Sequence, residues 1–223
     1  MGPRLVFFFT WLVVLVVNIG AQGEDLSGFV GEDTVKGNGK GNADPGYVQR
    51  VKIQASEGVA ESQYLLGLLK LYGIDGEKQD IQAAFKLFSK ASMQGNLNAQ
   101  TNLGIMYVRG IGTAKNVKSA ARWFEEAAMS GHSDAQWMLG RLYYDGLIGL
   151  SPSMKPDFKT ALKWFIKSSE RSNNRGSFNV GVMYEYGLGG LEQHLERASE
   201  FYAIAAKGGD AEAAYYLGVM YLY

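Results

Sequence analysis

The 223-residue chain is long enough for one or two domains, and its 22 Lys and Arg balance its 22 Asp and Glu. Zero net charge with no basic stripe argues against nucleic-acid binding, where affinity comes largely from neutralised phosphates. The lack of cysteine excludes disulfides, thiolate catalysis and cysteine-based zinc sites, and two histidines, His132 and His194, are too few for a histidine metal cluster.

The chain opens with "MGPR", one positive charge, and then "LVFFFTWLVVLVV" over residues 5–17. "NIGAQGE" follows. This order of basic, apolar and small residues reads residues 1–21 as a secretory signal peptide, cut after Ala21 or after Gly23. The apolar run is short of the ~20 residues a bilayer helix needs. An uncleaved anchor is the alternative reading. Residues 22–46 are rich in Gly, Asp and Lys and too poor in apolar side chains to bury a core, so they read as a flexible leader. "KGNGKGN" within them lacks the spacing of a phosphate-binding loop.

Beyond Tyr47 the chain repeats itself. "SQYLLGLLKLYG" (62–73) returns as "AQTNLGIMYVRG" (99–110), "AQWMLGRLYYDG" (135–146), "GSFNVGVMYEYG" (176–187) and "AAYYLGVMYLY" (213–223). Each carries a central glycine: Gly67, Gly104, Gly140, Gly181 and Gly218. Between them lies a second pattern, seen in "AFKLFSKASMQG" (84–95), "ARWFEEAAMSG" (121–131), "ALKWFIKSSERS" (161–172) and "ASEFYAIAAKGG" (198–209). Apolar residues recur at i, i+3, i+4 and i+7, the period of a helix, and no stretch sustains strand alternation. Asp80, Asn116 and Asp157 stand where N-caps of the second helices belong, with the weaker His194 in the fourth unit. Glycines after the helices mark their ends. Each unit is therefore two antiparallel helices.

A central glycine costs roughly 1 kcal/mol of helix propensity relative to alanine. Its recurrence implies an offsetting close approach. The expected partners are the small residues of the second helix: Ala84 and Ala91, Ala120 and Ala127, Ala161 and Ser168, Ala198 and Ala205. Leu103, Met106, Tyr107, Trp123 and Phe124 would then fill the seams of the second unit.

The pattern [AS]-Q-x-x-L-G-x-[LM]-Y-x-x-G, followed by A-x-x-[WF]-[FY]-x-x-A-[AS], closely resembles the Sel-1-like repeat, a longer relative of the tetratricopeptide unit. The resemblance covers residues 58–223, and residues 47–57 read as a degenerate second helix that caps the array. It implies an all-α, right-handed α-solenoid of about four full repeats and a final half repeat. It also implies a scaffold that binds other proteins, with no cofactor, no metal and no enzymatic activity. Secretory members include the ER-lumenal adaptor subunit of the ubiquitin ligase of ER-associated degradation, so misfolded clients and a ligase subunit are the partners implied. A secreted or periplasmic interaction module is the competing reading, and a hydrolase is disfavoured: the histidines fall at turn or cap positions, and Glu125 and Glu126 project from different sides of their helix.

By analogy with tetratricopeptide units, first helices line the concave face. Candidate groove residues are Tyr64, Tyr72, Arg109, Trp137, Arg141, Asp145, Phe178, Tyr186 and Tyr215, an aromatic ladder with a few charges suited to an extended segment. Burial of the same aromatics between repeats is the alternative. The last apolar stretch, "AEAAYYLGVMYLY", has no second helix after it. Either the chain is a fragment of a longer protein or this end docks on something.

Overall fold

The computed structural model describes residues 45–148 and 155–222. The expected signal peptide, most of the expected leader, and residues 149–154 in the third-unit turn lie outside the described residues. Ten helices and no strand are found among those described: α1 (Pro45–Ser56), α2 (Ala60–Tyr72), α3 (Ile81–Met93), α4 (Leu97–Arg109), α5 (Val117–Met129), α6 (Ser133–Tyr144), α7 (Phe158–Glu170), α8 (Asn174–Tyr186), α9 (Leu195–Lys207) and α10 (Ala211–Met220). Helix α1 starts two residues inside the stretch read as leader. Pro45 opens it, at a position where a missing N–H costs nothing.

Each helix packs on the next in an all-α solenoid. Four hairpins, α2–α3, α4–α5, α6–α7 and α8–α9, are closed by one repeated backbone bond. The N–H groups of Asp80, Asn116, Asp157 and His194 donate to the carbonyls of Lys70, Tyr107, Tyr143 and Tyr184, at 2.8, 2.8, 2.9 and 2.9 Å. The same four residues then cap the second helices. Their side chains accept from the N–H of Ala83, Ser119, Thr160 and Arg197, where His194 makes the longest bond, 3.3 Å. First helices have caps as well: Asn96, His132, Asn173 and Asp210 accept from Ala99, Ala135, Gly176 and Ala213. Three first helices end on a left-handed glycine, Gly73, Gly110 or Gly187.

The central glycines are sockets for rings. A Cβ at Gly67 would lie 2.6 Å from the Phe88 ring, one at Gly140 2.7 Å from Phe165, and one at Gly181 2.7 Å from Tyr202. At Gly104 the approach to Phe124 is closer still. The expectation that glycine meets small residues is thus corrected. The ring stands four residues after the opening alanine of the second helix and points straight at the glycine. Ala84, Ala120, Ala161 and Ala198 are fully buried, and carbonyl oxygens of Ala161 and Ala198 also come within 3.4 and 3.2 Å of the absent Cβ atoms. Backbone approach contributes in those two units, but ring insertion is common to all four. In the fourth unit the ring is a tyrosine. Its hydroxyl donates to Glu185 Oε2 at 2.6 Å, which satisfies a polar group that would otherwise be buried unpaired. Burial, then this carboxylate, pushes the Tyr202 pKa far up.

The glutamine of the repeat pattern has a role that the sequence did not disclose. Gln63, Gln100 and Gln136 are buried, and each Nε2 donates to a carbonyl near the end of the preceding helix: Ala55, Ser92 and Ala128 at 3.3, 3.2 and 3.1 Å. Each of those carbonyls also accepts from the glycine N–H of the turn that follows, Gly58, Gly95 or Gly131, so the glutamine takes up its second acceptor site. The glutamine therefore stitches one unit to the next. In the fourth unit Ser177 stands in its place and pairs with the Ser169 hydroxyl at 2.8 Å.

Candidate protein-binding groove

First helices are the more enclosed of each pair: α4 buries residues on all sides, while α5 buries one stripe, Ala120, Phe124, Ala127 and Ala128. Charges on first helices act on each other two units apart. The Tyr64 hydroxyl has its pKa raised first by burial, then by Glu61, and then by Asp134 of the third unit. Glu212 of the fifth unit has its pKa raised by burial and Asp210, against the opposing field of Arg141 in the third. The side of the first helices bearing Glu61, Asp134, Arg141 and Glu212 is therefore where units two apart feel each other's charge.

The expected groove residues divide by depth. Tyr64 and Phe178, with relative exposures of 4% and 9%, are core side chains. Their rings pack on the socketed rings, Tyr64 on Phe88 at 6.1 Å and Phe178 on Tyr202 at 5.4 Å between centroids. Their equivalent in the second unit, Thr101, is fully buried. Trp137, at the same register in the third unit, is half-buried, and Tyr215 in the fifth is exposed. Tyr72, Arg109, Asp145 and Tyr186, at the plus-five positions, and Arg141 are all half-buried. A partner would therefore meet Trp137, Arg141 and the plus-five set, not the deeper ladder of rings.

Of these candidates, Arg141 and, through it, Asp145 gather at Trp137. Arg141, one turn on in α6, and Arg175, from the first turn of α8, place their guanidinium carbons 5.9 and 5.0 Å from the Trp137 ring centroid. Both lie within cation–π range. Arg141 also bonds Asp145 at 3.4 Å. Burial raises the Asp145 pKa, and Arg141 opposes that shift. Beside the cluster is an open pocket of about 560 Å³, whose lining includes Asp134, Asn173, Arg175 and Asp210, at the N-terminal ends of α6, α8 and α10. Arg175 was not among the sequence candidates. It precedes the repeat token, and only the packing of α8 on α6 brings it to the tryptophan.

His132 is a half-buried cap rather than a solvated turn residue. Its Nδ1 accepts from the Ala135 N–H at 3.3 Å and lies 3.1 Å from Thr101 Oγ1, while Nε2 donates to Asn98 Oδ1 at 2.8 Å. The ring caps α6 and ties it to α4. Burial lowers its pKa, opposed by Asp134. The unfolded chain takes up a proton near the ordinary histidine value of about 6.5, and the folded chain resists it. This contribution to stability is thus complete above that pH and is lost as pH falls toward the depressed folded value. His132→Asn keeps a capping oxygen but carries no charge. Between pH 7.5 and 5, the melting temperature should fall more in the parent than in this variant. Equal slopes would show that His132 has no part in the acid sensitivity. Among the described residues, no group of three or more His, Cys, Asp or Glu is placed to hold a metal ion.

The Sel1 repeat family profile matches residues 60–96, 97–132, 133–173, 175–210 and 211–223, in register with the helix pairs. The chain belongs to the Sel1 repeat family. Sel1 repeat proteins act as scaffolds for binding other proteins. A Sel1 repeat protein from Oxalobacter formigenes shares 28% identity and a TM-score of 0.73 over 86% of this chain and 72% of its own. The Escherichia coli protein c5321, a protective antigen with an SLR fold, also shares 28% identity over 86% of this chain, with a TM-score of 0.71. The present chain spans only 40% of that protein's length. A Klebsiella pneumoniae structure described as a sel1 repeat protein, 22% identical with a TM-score of 0.51 over 78% of this chain and 83% of its own, shares the fold. No curated protein matches the chain. Glycine and ring recur in the four full units as socket and plug, and glutamine stitches three of the hairpins to the helix before them.

Proposed function

We propose that this Sel1 repeat protein works in the secretory pathway as an ER-lumenal adaptor, presenting misfolded clients to a ubiquitin ligase of ER-associated degradation. It holds an extended client segment against Trp137, Arg141, Arg175 and Tyr186. The observation that carries the groove is Trp137 with two guanidiniums at its ring. Trp, Tyr and Arg are the residues that dominate binding energy at interfaces, and a ring already flanked by cations is largely pre-positioned for contact. The apolar run at residues 5–17 supports delivery into the lumen.

A second reading, a secreted or periplasmic interaction module, is favoured by the bacterial origin of the two structures that share 28% identity. Affinity purification from the lumenal fraction separates them. Under the adaptor reading the parent chain retains ligase subunits, and a Trp137→Ala/Tyr186→Ala variant with an unchanged circular dichroism spectrum loses its client, at a cost of about 2 kcal/mol or more per interface anchor. Recovery of only envelope or extracellular proteins would replace the adaptor with the second reading. Binding indifferent to both substitutions would remove the groove.

A further inference from the structure

Three caps of first helices also tie their helix to the first helix before it. Asn96 accepts from the Ala99 N–H and donates to Glu61 Oε2 at 2.8 Å. Asn173 accepts from the Gly176 N–H and donates to Asp134 Oδ1 at 2.9 Å. His132 performs both tasks with a ring, whose Nδ1 accepts from Ala135 while Nε2 donates to Asn98. Of the three, only the ring can take up a proton near neutral pH, and it does so at Nδ1. That proton ends the bond from Ala135, a fully buried residue. It does not leave the ring without partners. Thr101 Oγ1 gives its own hydrogen to the Leu97 carbonyl at 2.8 Å and lies 3.1 Å from Nδ1, where it can accept. The neutral ring thus divides its bonds between α6 and α4. The charged ring gives both to α4.

We propose that protonation of His132 releases the first turn of α6 and so loosens the hold on a client at Trp137. This rests on the groove reading above. Trp137 follows Ala135 by two residues in the same helix. Asp134, in the released turn, is the acceptor for Asn173 of α8, the helix that brings Arg175 to the ring. Loss of the cap therefore acts on both sides of the groove. Around His132, Asp134 on its own helix favours the charged form. Helix α4 offers it the neutral Asn98 and Thr101, and α8 the neutral Asn173. Glu126, near the end of α5, bonds Gln100, and the Arg171 guanidinium after α7 packs on Gly131 beside the ring. Burial outweighs Asp134 and keeps the ring below its ordinary pKa. The grip is thus complete above that folded value and is lost as pH falls through it.

The test uses the full chain and, as an unfolded probe, reduced and carboxymethylated lactalbumin carrying a pH-insensitive fluorophore. As pH is lowered, the parent's affinity should fall about fivefold, the equilibrium weight of one helix cap. The midpoint should match the titration of the His132 ring followed by nitrogen NMR. Amide-exchange protection at Ala135 should drop through the same midpoint, relative to Ala99 under its Asn96 cap. His132→Asn can accept and donate as Asn96 and Asn173 do, so it should fold, bind as the parent does at pH 8 and lack the step. A step of equal size in His132→Asn overturns the proposal and leaves the groove standing. So does Ala135 protection that holds through the ring's titration. A parent that does not bind the probe, or Trp137→Ala that binds it equally at pH 8, overturns the groove and this proposal with it.

Discussion

Gly104→Leu should lower the melting temperature by about 6–12 °C. Leucine is the better helix former by roughly 1 kcal/mol, so propensity alone predicts a gain. The new Cβ, however, would overlap the edge of the Phe124 ring, and that ring is fully buried. It has no open space to turn into, since Ala120 and Ala127 of its own helix are buried with it. Overpacking of this kind costs about 1–3 kcal/mol and sometimes more, and here a branched side chain is added beyond the clashing atom. A net loss of about 3 kcal/mol corresponds to that shift for a chain of this size. Pairing Gly104→Ala with Phe124→Leu supplies the control. The smaller side chain vacates the socket, so the double variant should lose less than the sum of the single ones. A melt indifferent to Gly104→Leu would mean that the ring does not occupy the glycine.

The sequence disclosed the helices and their ends because those follow from local chemistry. Caps at Asp80, Asn116 and Asp157 and the left-handed glycines need only neighbours a few residues away. It disclosed the period because five glycines keep register. It did not disclose what the glycine faces. Alanine and the ring sit on the same helix, four residues apart, and spacing alone cannot say which side chain crosses to the first helix. Small residue against small residue was the economical assumption. The structure replaces it with a ring plugged into a gap, which buries far more apolar surface per glycine.

The groove was legible to a lesser degree for a similar reason. Register arithmetic selected Tyr64 and Trp137 as equivalents. One is core and the other lies half-exposed beneath two arginines. What separates them is their surroundings: Tyr64 packs on the buried Phe88 ring, while Trp137 meets Arg141 and, from the following unit, Arg175. Arg175 carries no repeat signal at all. Equivalence of position in a solenoid fixes the backbone setting of a residue, while the neighbouring units decide whether it is structure or surface.

That dependence on neighbours shapes the second large effect, expected from Phe165→Ala. Phe165 is fully buried in the Gly140 socket and joins a cluster with Ala161, Leu162, Val180 and Met183. Tyr144 and Trp137 pack against the same cluster. Removing a buried ring costs about 3–5 kcal/mol, and the upper end applies where the site cannot collapse. The wall opposite is a glycine, with no side chain to follow the ring inward. The cluster also lies between the core of α1–α6 and the smaller core of α8–α10, which centres on Phe178, Tyr202 and Ala213. In an array where each unit leans on its neighbours, a defect at that junction uncouples the two sides. Urea denaturation should then show two transitions in place of one, each with a smaller dependence on denaturant than the parent's. Amide exchange should assign the earlier one to α8–α10, because the N-terminal core is larger. One sharp transition at the parent's midpoint would mean that Phe165 does not join the two cores.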